Sequence, residues 1–195
     1  MALPTPPESP VSRLKITREM YHRMAEQGFF EGKRVELIEG EVFEKSPVSP
    51  RHFATGDRIQ RLFNRLFGEG FWVRFQGPLA VGESEPEPDI AIVPGIPEQY
   101  QDRHPDTAVL VVEIADTYLL YDRTYKLSLY ARAGIPEYWI VNLKERVLEV
   151  YRESIPLGDM PFGYGYKVRE ILRPDERVRP RAKPDAEIAV SDLLG

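Results

Sequence analysis

The sequence contains no cysteine. Disulfides, thiolate catalysis and cysteine-ligated zinc are excluded with it. A reducing compartment is compatible with that composition. No apolar run reaches the length of a membrane span. The opening residues, MALPTPPESP, lack the charged segment and following apolar stretch that mark a secretory signal. The expectation is a cytoplasmic protein with no membrane partner. No glycine loop of the P-loop kind is present, so a nucleotide-triphosphate motor is unsupported. Internal repeats and low-complexity domains are also missing. A strong positive charge is missing too: the formal net charge is −5. That argues against a chain coated in basic groups but leaves room for a local basic groove.

What is present is an ordinary globular composition, 42% hydrophobic and 29% charged. The length of 195 residues favours one domain with a sizeable core. The prolines of residues 1–14 predict an extended or disordered arm, leaving 15–195 as the domain. Thr17 can cap a short helix ending near Gln27. VELIEGEVFEK reads as two short strands around the turn Glu39-Gly40, and SPVSP as a loop. From His52 to Phe67, Ile59, Leu62, Phe63, Leu66 and Phe67 recur at helical spacing. Arg58, Arg61 and Arg65 lie between them, as a solvated face or as phosphate contacts. FWVRFQGPLAV, DIAIV and AVLVVEI are strand-like, the last rich in β-branched residues. A helix over Asp122–Arg132 and the strand EYWIVNL complete a crossover unit. RVLEVYR then pairs as a hairpin, YGYKVREIL adds a strand, and Pro174–Pro184 gives little. The fold class is α/β or α+β, antiparallel strands with packed helices. Tyr125, Tyr130, Tyr138 and Trp139 fall on core-like elements and read as packing rather than a base-stacking platform.

Two acids interrupt apolar strands. Asp89 opens DIAIV directly behind a proline, and Glu113 sits among Val111, Val112 and Ile114. An unpaired buried carboxylate is costly. If the intervening loop is centred near Tyr100 and Gln101, antiparallel pairing sets Asp89 opposite Glu113, on one face of the sheet. Like charges directly opposed are destabilising. A divalent cation resolves that conflict, and hard oxygen ligands suit Mg2+ or Mn2+. Separate pairing of each acid with an arginine or lysine, or a strand end in water, accounts for them equally. Asp122 and Lys126 stand four residues apart. That spacing usually supports a solvated helix face. The functional alternative turns Lys126 back over the sheet toward the acids.

The stretches EPDIAIV and VVEIADTYLLYDRTYKLSLYARAGIPEYWIVNL resemble the Uma family of restriction-endonuclease-like proteins, in the PD-(D/E)XK nuclease superfamily. VELIEGEVFEKSPVSPRH is similar to that family's entry segment. The resemblance spans about Val35 to Tyr151. It implies a mixed central sheet flanked by helices and divalent-metal-dependent phosphodiester hydrolysis. On its motif, Asp89 and Glu113 are the catalytic acids and metal ligands. Many superfamily members carry lysine two residues after the second acid, where Ala115 stands here. The resemblance implies that Lys126 supplies it from the following helix. Glu36 is the candidate for the superfamily's early acid. His52 falls where the family often has histidine, with helix capping or packing as an equal account.

The leading expectation is a Mg2+- or Mn2+-dependent endonuclease with DNA as partner. Its alternative is a catalytically silent nucleic-acid-binding or regulatory module on the same fold. A third reading is an interaction protein, a homodimer paired through edge strands.

Overall fold

A computed structural model describes residues 13–116 and 118–195. The expected proline-rich arm lies outside the described residues up to position 12. Thr17 caps α1 (Arg18–Glu26), its hydroxyl accepting from Met20 N at 3.2 Å. β1 (Val35–Ile38) and β2 (Glu41–Glu44) then form the expected hairpin. Glu39 and Gly40 both hold positive φ, 52° and 83°, as a type I′ turn requires. A Cβ at Gly40 would also stand 2.6 Å from the Lys15 Cβ.

α2 (Pro50–Phe67) starts two residues before the periodic pattern does. Ser49 is its cap, accepting from His52 N at 3.1 Å, and Pro50 takes the first helical position. Proline is favoured there because its missing N–H has no helical partner to lose. Within α2, Gly56 admits the sheet: a Cβ there would meet the Phe75 ring at 2.3 Å.

β3 (Phe71–Phe75), β4 (Ile90–Pro94) and β5 (Leu110–Ala115) are successive antiparallel neighbours. β3 ends well before Val81, where the apolar pattern stops. Gln76 turns to φ 49°, and Pro78 has no N–H for a ladder. β6 (Glu137–Asn142) runs parallel to β5. β7 (Val147–Pro156) and β8 (Tyr164–Leu172) extend the sheet antiparallel, giving the order β3-β4-β5-β6-β7-β8. The parallel pair is bridged by α3 (Leu119–Tyr121), a π-helical turn over Asp122–Lys126, and α4 (Leu127–Arg132). This helical stretch begins three residues earlier than its sequence pattern suggests. Pro174–Pro184, uninformative as sequence, contains β9 (Arg177–Val178). It pairs with β10 (Ile188–Ala189), which leads into α5 (Val190–Leu194).

Alternation along β4 splits the core in two. Ile90 and Ile92 pack with Phe63, Phe67 and Trp139 on the α2 and α5 side. Ala91 and Val93 belong with Tyr130, Tyr138 and Ile140 on the α4 side. Strands covered on both faces read as nearly continuous apolar runs, as these do. Tyr125 departs from the packing expectation, with 43% of its surface exposed. Among the described residues no helix is long and apolar enough to cross a membrane.

Candidate active site

The site forms where β4 begins and β5 ends. Ile90 pairs with Val112. One step further along the same register, Asp89 meets Glu113. Asp89 N donates to Glu113 Oε2 at 3.2 Å, and Ile114 N donates to Asp89 Oδ2 at 2.8 Å. Both acids are buried. Each carboxylate is therefore oriented by the other strand's end, which locks the pair into one geometry.

The first strand of the N-terminal hairpin reaches this place through the segment before β4. Leu37 N donates to Glu85 O, and Glu85 N donates to Leu37 O at 2.7 Å. That pairing sets the neighbouring Glu36 over the sheet, where its Oε2 accepts from Glu87 N at 3.1 Å. Lys126 closes the arrangement. Its Nζ lies 2.6 Å from Glu36 Oε2 and 3.4 Å from Glu113 Oε1. Tyr130 donates its hydroxyl to Glu113 Oε1 at 2.8 Å, and Tyr121 donates to Glu36 Oε1 at 3.2 Å.

The solvated Asp122–Lys126 pair expected from their spacing is absent, because both residues are buried. The π-helical turn between them explains it. Its five-residue hydrogen bonds insert extra backbone and rotate later side chains about the axis. Lys126 turns to the acids, while Asp122 lines the same cavity. Tyr138 anchors the turn by donating to Asp122 O at 3.1 Å.

His52 enters from the first turn of α2. Its Nε2 lies 3.0 Å from Asp89 Oδ2, and its Nδ1 is buried without a partner. The helix cap expected of His52 falls to Ser49 instead, and the His52 side chain contacts the acid. Lys45 follows β2 and sends its Nζ to Glu87 O at 2.7 Å.

Electrostatics separate the two strand acids. Burial would raise Asp89, but the His52 hydrogen bond and charge, Lys45 and the Ile114 N–H hold it below its usual range. Glu113 is raised, by burial and by the charge of Asp89, against the pull of Lys126. Asp122 is pushed well up by burial and by Glu113. Glu36 stays low: burial opposes ionisation, but Lys126, Lys45 and the Glu87 N–H outweigh it. Lys126 is raised, the carboxylates of Glu113 and Glu36 overcoming its burial. One ammonium thus sits within an excess of closely packed carboxylates. Sites of this kind, with pKa values driven apart, are a functional signature.

A cavity of about 390 Å³ opens above these groups, lined also by Phe43, Val48 and Tyr118. The chain matches the family Uma2, described as "Putative restriction endonuclease", over residues 18–191. It belongs to that family. Among solved structures it is similar to one described as "a putative nuclease belonging to DUF820" from Anabaena variabilis ATCC 29413. The TM-score is 0.69 at 16% identity, covering 92% of this chain and 97% of that one. That likeness shows the shared fold, a mixed sheet flanked by helices. No curated protein matches the chain.

Within the family frame, the structure brings Asp89, Glu113, Lys126, Glu36 and His52 to one cavity and leaves the arginine face of α2 apart from it. Arg58 instead donates to Asp192 O at 3.1 Å, and Arg61 pairs with Asp57 at 3.0 Å. Sequence reasoning missed Lys45, Tyr121 and Tyr130. For Lys45 a signal existed. It lies two residues beyond Phe43, which faces Glu36 across the hairpin, and period-2 alternation carries that face onward. For the tyrosines no local pattern distinguishes a core ring from one whose hydroxyl reaches an acid.

Proposed function

We propose that this chain is a metal-dependent nuclease that hydrolyses phosphodiester bonds of DNA. The observation that carries the reading is the adjoining pair Asp89 and Glu113 beneath a cavity, with Lys126 at 3.4 Å from Glu113. Among the described residues no group of three or more histidine, cysteine and acidic side chains is arranged to hold a metal ion. The donor set present is two hard carboxylates, which suits Mg2+ or Mn2+ completed by water and substrate phosphate.

Asp89 and Glu113 would hold the ion. Bound there, a divalent cation lowers the pKa of water and polarises a phosphoryl oxygen. The remaining work falls to the protein. Lys126 offsets negative charge that builds on the phosphoryl group. Glu36 fixes that ammonium in place, its own carboxylate held by the Tyr121 hydroxyl and the Glu87 N–H, so no reorganisation is needed during reaction. His52 holds the Asp89 carboxylate in one rotamer through its Nε2. Tyr130 holds Glu113 Oε1 from the core side through its hydroxyl.

The test is calorimetric titration of Mn2+ into the wild-type chain and into Asp89→Ala, followed by nuclease assay of both. The reading expects binding and cleavage in the wild type and loss of both in the variant. Cleavage that persists in Asp89→Ala would sink it.

A further inference from the structure

The cavity above the acids has a second character that hydrolysis alone does not use. Its floor is ionic, but its wall and rim are aromatic and apolar: Phe43, Val48, Tyr118 and Tyr121. Tyr118 is 57% exposed, yet its hydroxyl is tethered to Ser46 Oγ at 2.6 Å. Tyr121 is fixed at its hydroxyl by Glu36. Behind it, Tyr125 stacks with ring centroids 5.6 Å apart at 19°, and Phe43 lies at 6.0 Å. Phe43 and Tyr121 pack against the core on the α4 side while still lining the cavity, and Tyr118 stands outside the core at its rim.

The charge of the lining selects among nucleic acids. Its carboxylates are Glu36, Glu44, Asp89, Glu113, Asp116 and Asp122, against the lysines Lys45 and Lys126. Both lysines are already engaged, Lys45 with Glu87 and Lys126 with Glu36. Surfaces that track a duplex are strongly positive, because each contacted phosphate must be neutralised. This lining is not. Single strands are held by cationic contacts to the backbone and by base stacking on aromatic side chains, and of these two the lining offers the stacking, which a continuous duplex cannot use. A volume of about 390 Å³ falls in the range of pockets that enclose one small ligand.

We infer that the cavity receives one unpaired nucleotide beside the phosphate to be cleaved, its base against Tyr118 and Tyr121. The substrate is then single-stranded or locally unpaired nucleic acid, not continuous duplex. This inference rests on the nuclease reading for the phosphate's position, and the experiment below separates the two.

Fluorescence anisotropy would follow the wild-type protein in EDTA against three labelled oligonucleotides. They are a single strand, its perfect duplex, and the duplex with one unpaired base. The expected result is at least about tenfold tighter binding of the single strand and the interrupted duplex than of the perfect duplex. Tyr118→Ala should lose about tenfold in single-strand affinity, as removal of one stacking ring does. Tyr118→Phe, which keeps the ring but not its tether to Ser46, should lose less than Tyr118→Ala. Equal or tighter binding of the perfect duplex overturns the inference. So does single-strand affinity indifferent to Tyr118→Ala, or no binding of any oligonucleotide. Cleavage with Mn2+ is scored separately. Its absence, with the Tyr118-dependent preference intact, counts against hydrolysis and supports the nucleotide site.

Discussion

The Lys126 ammonium stands 2.6 Å from the Glu36 carboxylate, across 90 residues of sequence, and both side chains are buried. Removing one member of such a pair strands the other charge, at a cost of about 3–5 kcal/mol. Here Glu113 remains as a second partner for the lysine, which lowers the cost of Glu36→Gln. Lys126→Met leaves two carboxylates facing each other without their cation and should be the more destabilising change. Urea unfolding of both variants checks the order. A larger loss in Glu36→Gln would show that Glu113 does not share the lysine's charge.

His52 touches Asp89 through one nitrogen. Partners that orient a metal ligand typically change affinity about 10–100-fold when removed. His52→Ala should therefore weaken Mn2+ binding by about that factor while the fold persists. The direction follows from the acid: without the histidine's hydrogen bond and charge, Asp89 is less readily ionised. Calorimetry on the variant, with circular dichroism as the folding control, is the measurement. Unchanged affinity would reduce His52 to a packing residue.

Glu149, two strands along the sheet from Glu113, gives the fold a pH dependence of its own. Burial would raise its pKa, but hydrogen bonds from Arg123, Tyr151 and Asn142 and the Arg123 charge hold it below the usual value. A carboxyl lowered in the folded state stabilises above its unfolded pKa, about 4.3 for glutamate. That contribution is lost as pH falls through the folded value. Glu149→Gln should thus lower the melting temperature at pH 7, and the gap to wild type should narrow below about pH 4. A gap constant with pH would contradict the assignment.

Gly56 sets two effects against each other. Alanine is favoured over glycine in a helix interior by about 1 kcal/mol. A Cβ at this position, however, meets Phe75 Cε2 at 2.3 Å, and that ring packs against Phe53 with centroids 5.6 Å apart. Overpacking typically costs about 1–3 kcal/mol. Gly56→Ala should therefore destabilise by about 1 kcal/mol net, read as a lower urea midpoint at unchanged slope.

Local rules carried the sequence a long way. Strand alternation and the length of the loop between Asp89 and Glu113 determined which residues face each other, because antiparallel register follows from where the connection is centred. The Glu39-Gly40 turn and the helical spacing of Ile59, Phe63 and Phe67 are likewise short-range, steric and periodic. The extent of β3 was not legible, since its apolar pattern runs on past the left-handed Gln76 that ends the ladder. Nor was the surround of the acids. Whether Lys126 faced water or Glu113 depended on a π-helical turn that no hydrophobic period reveals. Glu36, Tyr121 and Tyr130 converge on those acids from elements distant in the chain. Periodicity reports only which face of an element is apolar. Where a polar side chain on that face finds its partner is decided by how separate elements pack, and only the tertiary structure carries that.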